Sequence, residues 1–270
     1  MESRAIDGLT LYFDPAENEA ADLIGRACRR SVRLLQDTWG LQVPQDCRVY
    51  VMTSWPQFLR HATPWFWWPL LLVTFPLWAG RFSRVWPYAG GWAQQFGRRR
   101  TVGVKPPRLL ASADRRMGER IFLPAEEEAK IEHVTCHELT HAFTAHLRLP
   151  MWLNEGLAMV TVDRYAGQPT VRSETLTALA QAARSTEPGR YRKLHSGDAD
   201  VLVYHTVRGY WLTRYIRDVE PALLTTCLSR RLSHQALEAQ VAESLGMPPE
   251  TFWERIDPRV VAHFEGISGA

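Results

Sequence analysis

At 270 residues and 30.9 kDa, with 46% hydrophobic and 23% charged residues, the chain has the make-up of a folded globular protein, large enough for one substantial domain or for two lobes around a cleft. A formal net charge of +3 is too small to point to nucleic acid as a partner. Cys28, Cys47, Cys136 and Cys227 are widely spaced with no CxxC pair, which favours reduced thiols over a disulfide framework; the opening residues 1–7 lack the basic stretch and apolar core of a secretory signal, so a cytoplasmic location is expected.

In chain order, residues 9–13 (Leu-Thr-Leu-Tyr-Phe) read as a strand, and residues 18–39 as a helix that Gly40 ends. Residues 48–52 form a second expected strand, and 102–104 and 120–123 two more. Between them, residues 62–80 carry no charged side chain and include the run Trp65-Phe66-Trp67-Trp68-Pro69-Leu70-Leu71-Leu72-Val73. The length is close to the roughly 20 residues of a bilayer crossing. Pro64, Pro69 and Pro76 disfavour a straight spanning helix, however, and one crossing would part strands that should share a sheet. Trp86, Tyr88, Trp92 and Phe96 follow, flanked by Arg81, Arg84 and Arg98, Arg99, Arg100. Residues 62–97 are therefore expected to dock peripherally or monotopically on an anionic membrane face; an apolar lid or a partner-binding segment is the alternative.

Pro124 suits a helix start, and Glu126, Glu127 and Glu128 put negative charge where the helix dipole favours it. The apolar pattern then runs through Ile131, Val134, Leu139 and Ala142 to about Leu147, and Pro150 is placed to begin the next helix. Within the first helix lies His137-Glu138-Leu139-Thr140-His141. Residues four apart share a helix face, so the two imidazoles can hold one metal ion, with Glu138 close enough to act on water there. In the second helix, Trp152-Leu153-Asn154-Glu155-Gly156 supplies a carboxylate that completes a His/His/Glu set. His146 points off the ligand face; His133, one turn before His137 on the same stripe, reads as a helix-surface or partly buried histidine, with a supporting hydrogen-bond donor or substitute ligand as the alternative; and Cys136 reads as a buried, inert thiol. A third-histidine pattern would need Gly at 144 and His at 147, where Thr144 and Leu147 stand. Beyond Glu155 the chain reads as helical at 173–184, 199–217, 220–229, 234–245 and 249–264.

The paired motifs resemble the gluzincin clan of zinc peptidases, most closely its peptidase MA-like, thermolysin-like domains; the likeness is sharp over residues 137–158 and extends to residues 236–253. Two departures are visible. The spacer between His141 and Glu155 is 13 residues, and Met159 stands where an acidic partner of a ligand histidine is usual. The resemblance implies an α+β fold with an N-terminal mixed lobe and a small sheet, at 1–61 and 101–149, and a C-terminal helical lobe at 150–270, the apolar stretch 62–100 being an insertion. It implies zinc on His137, His141 and Glu155, and peptide-bond hydrolysis of a peptide or protein through a zinc-activated water with Glu138 as general base. It also implies an oxyanion donor at Tyr204, with His205 second, and an extended substrate added along the strand carrying Arg120, Ile121 and Phe122. Arg208 reads as a solvated arginine that could meet a substrate carboxylate. A non-catalytic membrane-associated zinc-binding or protein-interaction module is the alternative, which the presence of Glu138 argues against. Substrate identity and oligomeric state are left open by the sequence.

Overall fold

The computed structural model describes residues 1–182 and 199–268, and the side chains of 76–78, 81, 82, 84, 181, 182, 199–202, 267 and 268 fall outside the description. The protein is α+β, with a five-stranded mixed sheet and mainly helical structure elsewhere. It divides into two compact units, Met1–Ala145 with Thr161–Pro169, and His146–Val160 with Thr170–Ala270.

In the first unit, β1 (Glu2–Ile6) and β2 (Leu9–Phe13) form an antiparallel hairpin across Asp7 and Gly8, both at positive φ (43° and 85°). Asp-Gly is the dipeptide that such a two-residue turn demands. Next comes α1 (Asn18–Trp39), which buries Ala20, Ile24, Ser31, Leu35 and Trp39 along one stripe. Gly40 ends it at φ 65°, returning its N–H to the carbonyls of Leu35 and Gln36. Each large apolar side chain on that stripe stabilises the fold by about 1.5–3 kcal/mol.

The helix returns the chain to β3 (Asp46–Val51), parallel to β2, and α2 (Trp55–Ala62) and α3 (Trp68–Val85) precede β4 (Gly91–Phe96) and β5 (Arg99–Val104). The sheet order is β1-β2-β3-β5-β4, with β5 parallel to β3 and β4 an antiparallel edge strand. Both β4 and the start of β5 fall within the stretch 62–100. Trp86 and Trp92 do not join an outward aromatic belt: they pack inward, with Trp55 and Tyr12, on Tyr50, Met52, Phe58 and Ala62. Lys105 holds Trp86 there. Its buried Nζ donates to the Trp86 carbonyl at 2.6 Å and lies 4.1 Å from the ring centroid, and burial lowers its pKa to about 8. No helix among the described residues is long and apolar enough to cross a membrane.

Beyond the sheet, α4 (Pro107–Ala113) runs into a π-helical turn and then α5 (Glu119–Ile121). The strand expected at 120–123 is absent. Arg120 and Ile121 lie in a helical turn that the Phe122 N–H closes on the Gly118 carbonyl at 2.7 Å; Phe122 itself is extended (φ −100°, ψ 152°), as a single bridge residue, and Ile121 is buried. The metal-motif helix α6 (Glu127–Thr144) then packs on α1, β4 and β5. Next, α7 (Met151–Ala166) starts in the second unit and ends in the first. The rest of the second unit comprises α8 (Glu174–Ala182), α9 (Ala199–Val219), α10 (Pro221–Ser229), α11 (His234–Ser244) and α12 (Phe252–Ser268), close to the expected helices; residues 183 and 184 of the first of these lie outside the described residues.

Candidate metal centre

Helix α6 carries an unusually polar buried face for a core helix, and its threonines show how that is tolerated. The hydroxyls of Thr135, Thr140 and Thr144 each donate to the carbonyl four residues earlier, at 2.7, 2.8 and 2.8 Å. With those groups satisfied, His137 and His141 project from one face a turn apart. Their Nε2 atoms lie 3.0 Å apart and their rings meet edge to face at 4.6 Å.

The C-terminal half of α7 is fastened to α6 within the first unit. Val162 and Tyr165 cluster with Cys136, with Leu34 of α1 packed against them. The Tyr165 hydroxyl donates to the Glu132 carboxylate at 3.0 Å, and Arg30 bonds the Tyr165 carbonyl while stacking 4.0 Å from its ring centroid. Glu155 lies farther toward the N-terminus of the same helix. The ligand atoms of His137, His141 and Glu155 all lie within 4.8 Å of one another.

The N-terminal half of α7 is seated on α9 in the second unit by two glycines. A Cβ on Gly156 would fall 2.1 Å from the Gly209 carbonyl oxygen and 2.1 Å from the Thr213 Oγ1, and one on Gly209 would fall 2.5 Å from the Trp152 carbonyl oxygen. Gly156 is thus required by backbone contact beside the third candidate ligand, which gives the Glu155-Gly156 pair of the motif a physical reason.

Glu138 is buried on α6, and the edge strand lies flat against it. A Cβ on Gly91 would lie 2.5 Å from the Glu138 Cγ, and one on Gly90 would lie 3.2 Å from Val134 Cγ2, a turn earlier on the same helix. The sequence reading missed this pair, because Gly-Gly ordinarily marks a turn; the signal was the two glycines opening a strand rather than closing one.

The donors fit a divalent ion. Two imidazole nitrogens and a carboxylate oxygen are a borderline-soft set that suits zinc, and tetrahedral coordination at about 2.0 Å places ligand nitrogens ~3.3 Å apart, near the separation seen here. The same set would also accept other divalent transition metals.

Neighbouring groups fall outside the donor set. His133 is half-buried, edge to face with Tyr165 at 6.3 Å, and burial lowers its pKa. His146 is exposed. Cys136 is free and buried, and burial pushes its thiol up to about 12, so it is an inert core group as expected. Met159 is buried, and the charge of Asp163, one turn on, acts on His133. Tyr204 and His205 lie on α9 with rings 5.4 Å apart, and burial followed by the charge of Arg208 lowers the His205 pKa. Of the residues expected to line a substrate strand, Arg120 and Ile121 form a helical turn and Phe122 caps it, with Ile121 in the core.

Arg208 departs most from expectation. It is buried rather than solvated, gripping Asp257 of α12 through Nε at 2.9 Å and Nη2 at 2.7 Å, and it lies 4.8 Å from the Trp253 ring centroid. With both carboxylate oxygens engaged, it is committed to holding α9 on α12. Comparison with protein-family models, with curated proteins and with solved structures finds no match.

Proposed function

We propose that this protein is a zinc-dependent peptidase of gluzincin type. The observation that carries the reading is the convergence of His137, His141 and Glu155 beside a buried Glu138. A purely structural metal site has no use for that carboxylate. Zinc on these three residues would supply Lewis acidity toward a peptide carbonyl and acidify water.

The chain's own residues do the rest. Glu138 accepts a proton from water and delivers it to the departing amine, its carboxylate serving as base and then acid. Because Gly91 presents no side chain to Glu138, the carboxylate can sit against the edge strand. That strand, β4, replaces residues 120–122 as the surface along which an extended peptide would add, main chain to main chain. Tyr204 is the proposed donor to the oxyanion, with the role passing to His205 if its hydroxyl is dispensable.

The test is metal-dependent cleavage of an unbiased peptide library by the purified full chain, with cleavage lost on chelation and restored by zinc. In the same assay Gly91→Ala, which forces Glu138 off the strand, should lower kcat on the order of 10²-fold at unchanged metal content. Tyr204→Phe should lower kcat by about 10²–10³ with KM nearly constant. Activity surviving chelation would refute the reading, and wild-type turnover in Gly91→Ala would remove the strand from the mechanism.

A further inference from the structure

The segment leading through the 3-10 turn at Trp65–Trp67 into α3 turns its apolar side chains outward. Trp65, Phe66, Leu72 and Val73 are 82%, 61%, 65% and 79% exposed, and Leu70 and Phe75 are also open to solvent. At about 100° per residue, Leu70, Leu72, Val73 and Phe75 project in widely different directions, so the helix is apolar and open on most sides rather than along one stripe. A helix of that character is at home only where apolar matter surrounds it, and a protein partner would have to wrap around it.

Charge selects the surroundings. No Asp or Glu occurs between Asp46 and Asp114, a stretch that holds eight arginines and one lysine. Some of these are spent inside the fold: Arg48 and Arg99 pair with Asp46, and Arg100 donates to the Gly97 carbonyl at 2.8 Å. Arg60 and Arg98 are exposed. An acid-free stretch of sequence with exposed arginines and a Trp- and Phe-tipped helix fits anionic lipid, where aromatic rings settle at headgroup depth and aliphatic side chains reach below. Topology excludes passage through the bilayer: β3 before the segment and β4 and β5 after it belong to one sheet, so the chain enters and leaves on the same side.

We propose that residues 65–75 insert into the headgroup and upper acyl region of an anionic bilayer and hold the protein on its surface. This does not depend on the metal site or on hydrolysis. Flotation of the full chain with phosphatidylglycerol–phosphatidylcholine vesicles is the experiment, with phosphatidylcholine vesicles and high salt as comparisons. Wild type should float with the anionic vesicles and less with neutral lipid or high salt. Trp65→Ser combined with Phe66→Ser, and separately Val73→Glu, should each lower vesicle partitioning at least about tenfold while leaving circular dichroism and zinc content unchanged. The proposal is overturned if wild type stays unbound to anionic vesicles, or if both variants float as it does. It is equally overturned if wild type fails to float but is a dimer that Val73→Glu splits, since the patch would then be a face for a second copy.

Discussion

Glu138→Gln is expected to keep its zinc and its fold and to lose peptide hydrolysis by at least 10²–10⁴-fold, the range spanned by a single positioned acid–base group. The amide matches the carboxylate in size, so the Gly91 contact at the edge strand survives the change. What disappears is the capacity to take up a proton and give it back. Glu138 is one residue from a ligand but is not itself in the donor set, which makes the variant a clean separation of chemistry from binding. Metal content and thermal midpoint serve as controls. Equal turnover in wild type and variant would assign the chemistry to another group and favour a binding module that retains the metal.

The second large effect is on stability. Arg208→Met should destabilise the protein by roughly 3–5 kcal/mol, because it strands the Asp257 carboxylate in the core of the second unit. Burial already raises the Asp257 pKa, the Arg208 charge and hydrogen bond only partly offsetting it. The sign of the pH dependence follows. With a folded pKa above the unfolded one, Asp257 binds more protons when folded, so its contribution to stability declines as pH rises between those two values. Loss of Arg208 widens that window. The deficit of Arg208→Met should therefore be largest at neutral pH and shrink as the carboxyl protonates in acid. Arg208→Met combined with Asp257→Leu should recover much of the loss. Denaturant unfolding of the three proteins at neutral and acidic pH decides it; a deficit under 1 kcal/mol at neutral pH would mean that water reaches the pair.

Where one strong local signal acts alone, sequence and structure coincide. The helix 18–39 has its bounds as read, since the buried stripe and the Gly40 cap speak together. Of the three candidate ligands, His137 and His141 were legible because helical spacing brings them together whatever surrounds them, while Glu155 was read only from its own motif and the resemblance it carries. What was not legible depended on distant partners. Residues 2–6 pass as polar, with only Ile6 buried, and become a strand by pairing with β2; the Asp7-Gly8 turn was the available sign. Residues 120–123 carry a short apolar run, Ile121-Phe122-Leu123, that mimics a strand, but the helical backbone of residues 107–121 runs through Ile121 and leaves only Phe122 extended, as a single bridge residue. Trp86 and Trp92 look like lipid-facing aromatics until Lys105 and the Tyr50 cluster claim that region. Arg208 could not be told from a surface arginine, because its partner lies 49 residues away on α12. Gly91 faces Glu138 across 47 residues of sequence, and only the sheet order brings the two together.

Elemental analysis of the wild type, purified without chelator and equilibrated with zinc, bears most directly on the central claim. It should return about one zinc per chain, and Glu155→Ala should fall far below that under the same dialysis. Wild type without stoichiometric metal, or Glu155→Ala holding zinc as tightly as wild type, would contradict the assignment of His137, His141 and Glu155 as one metal centre.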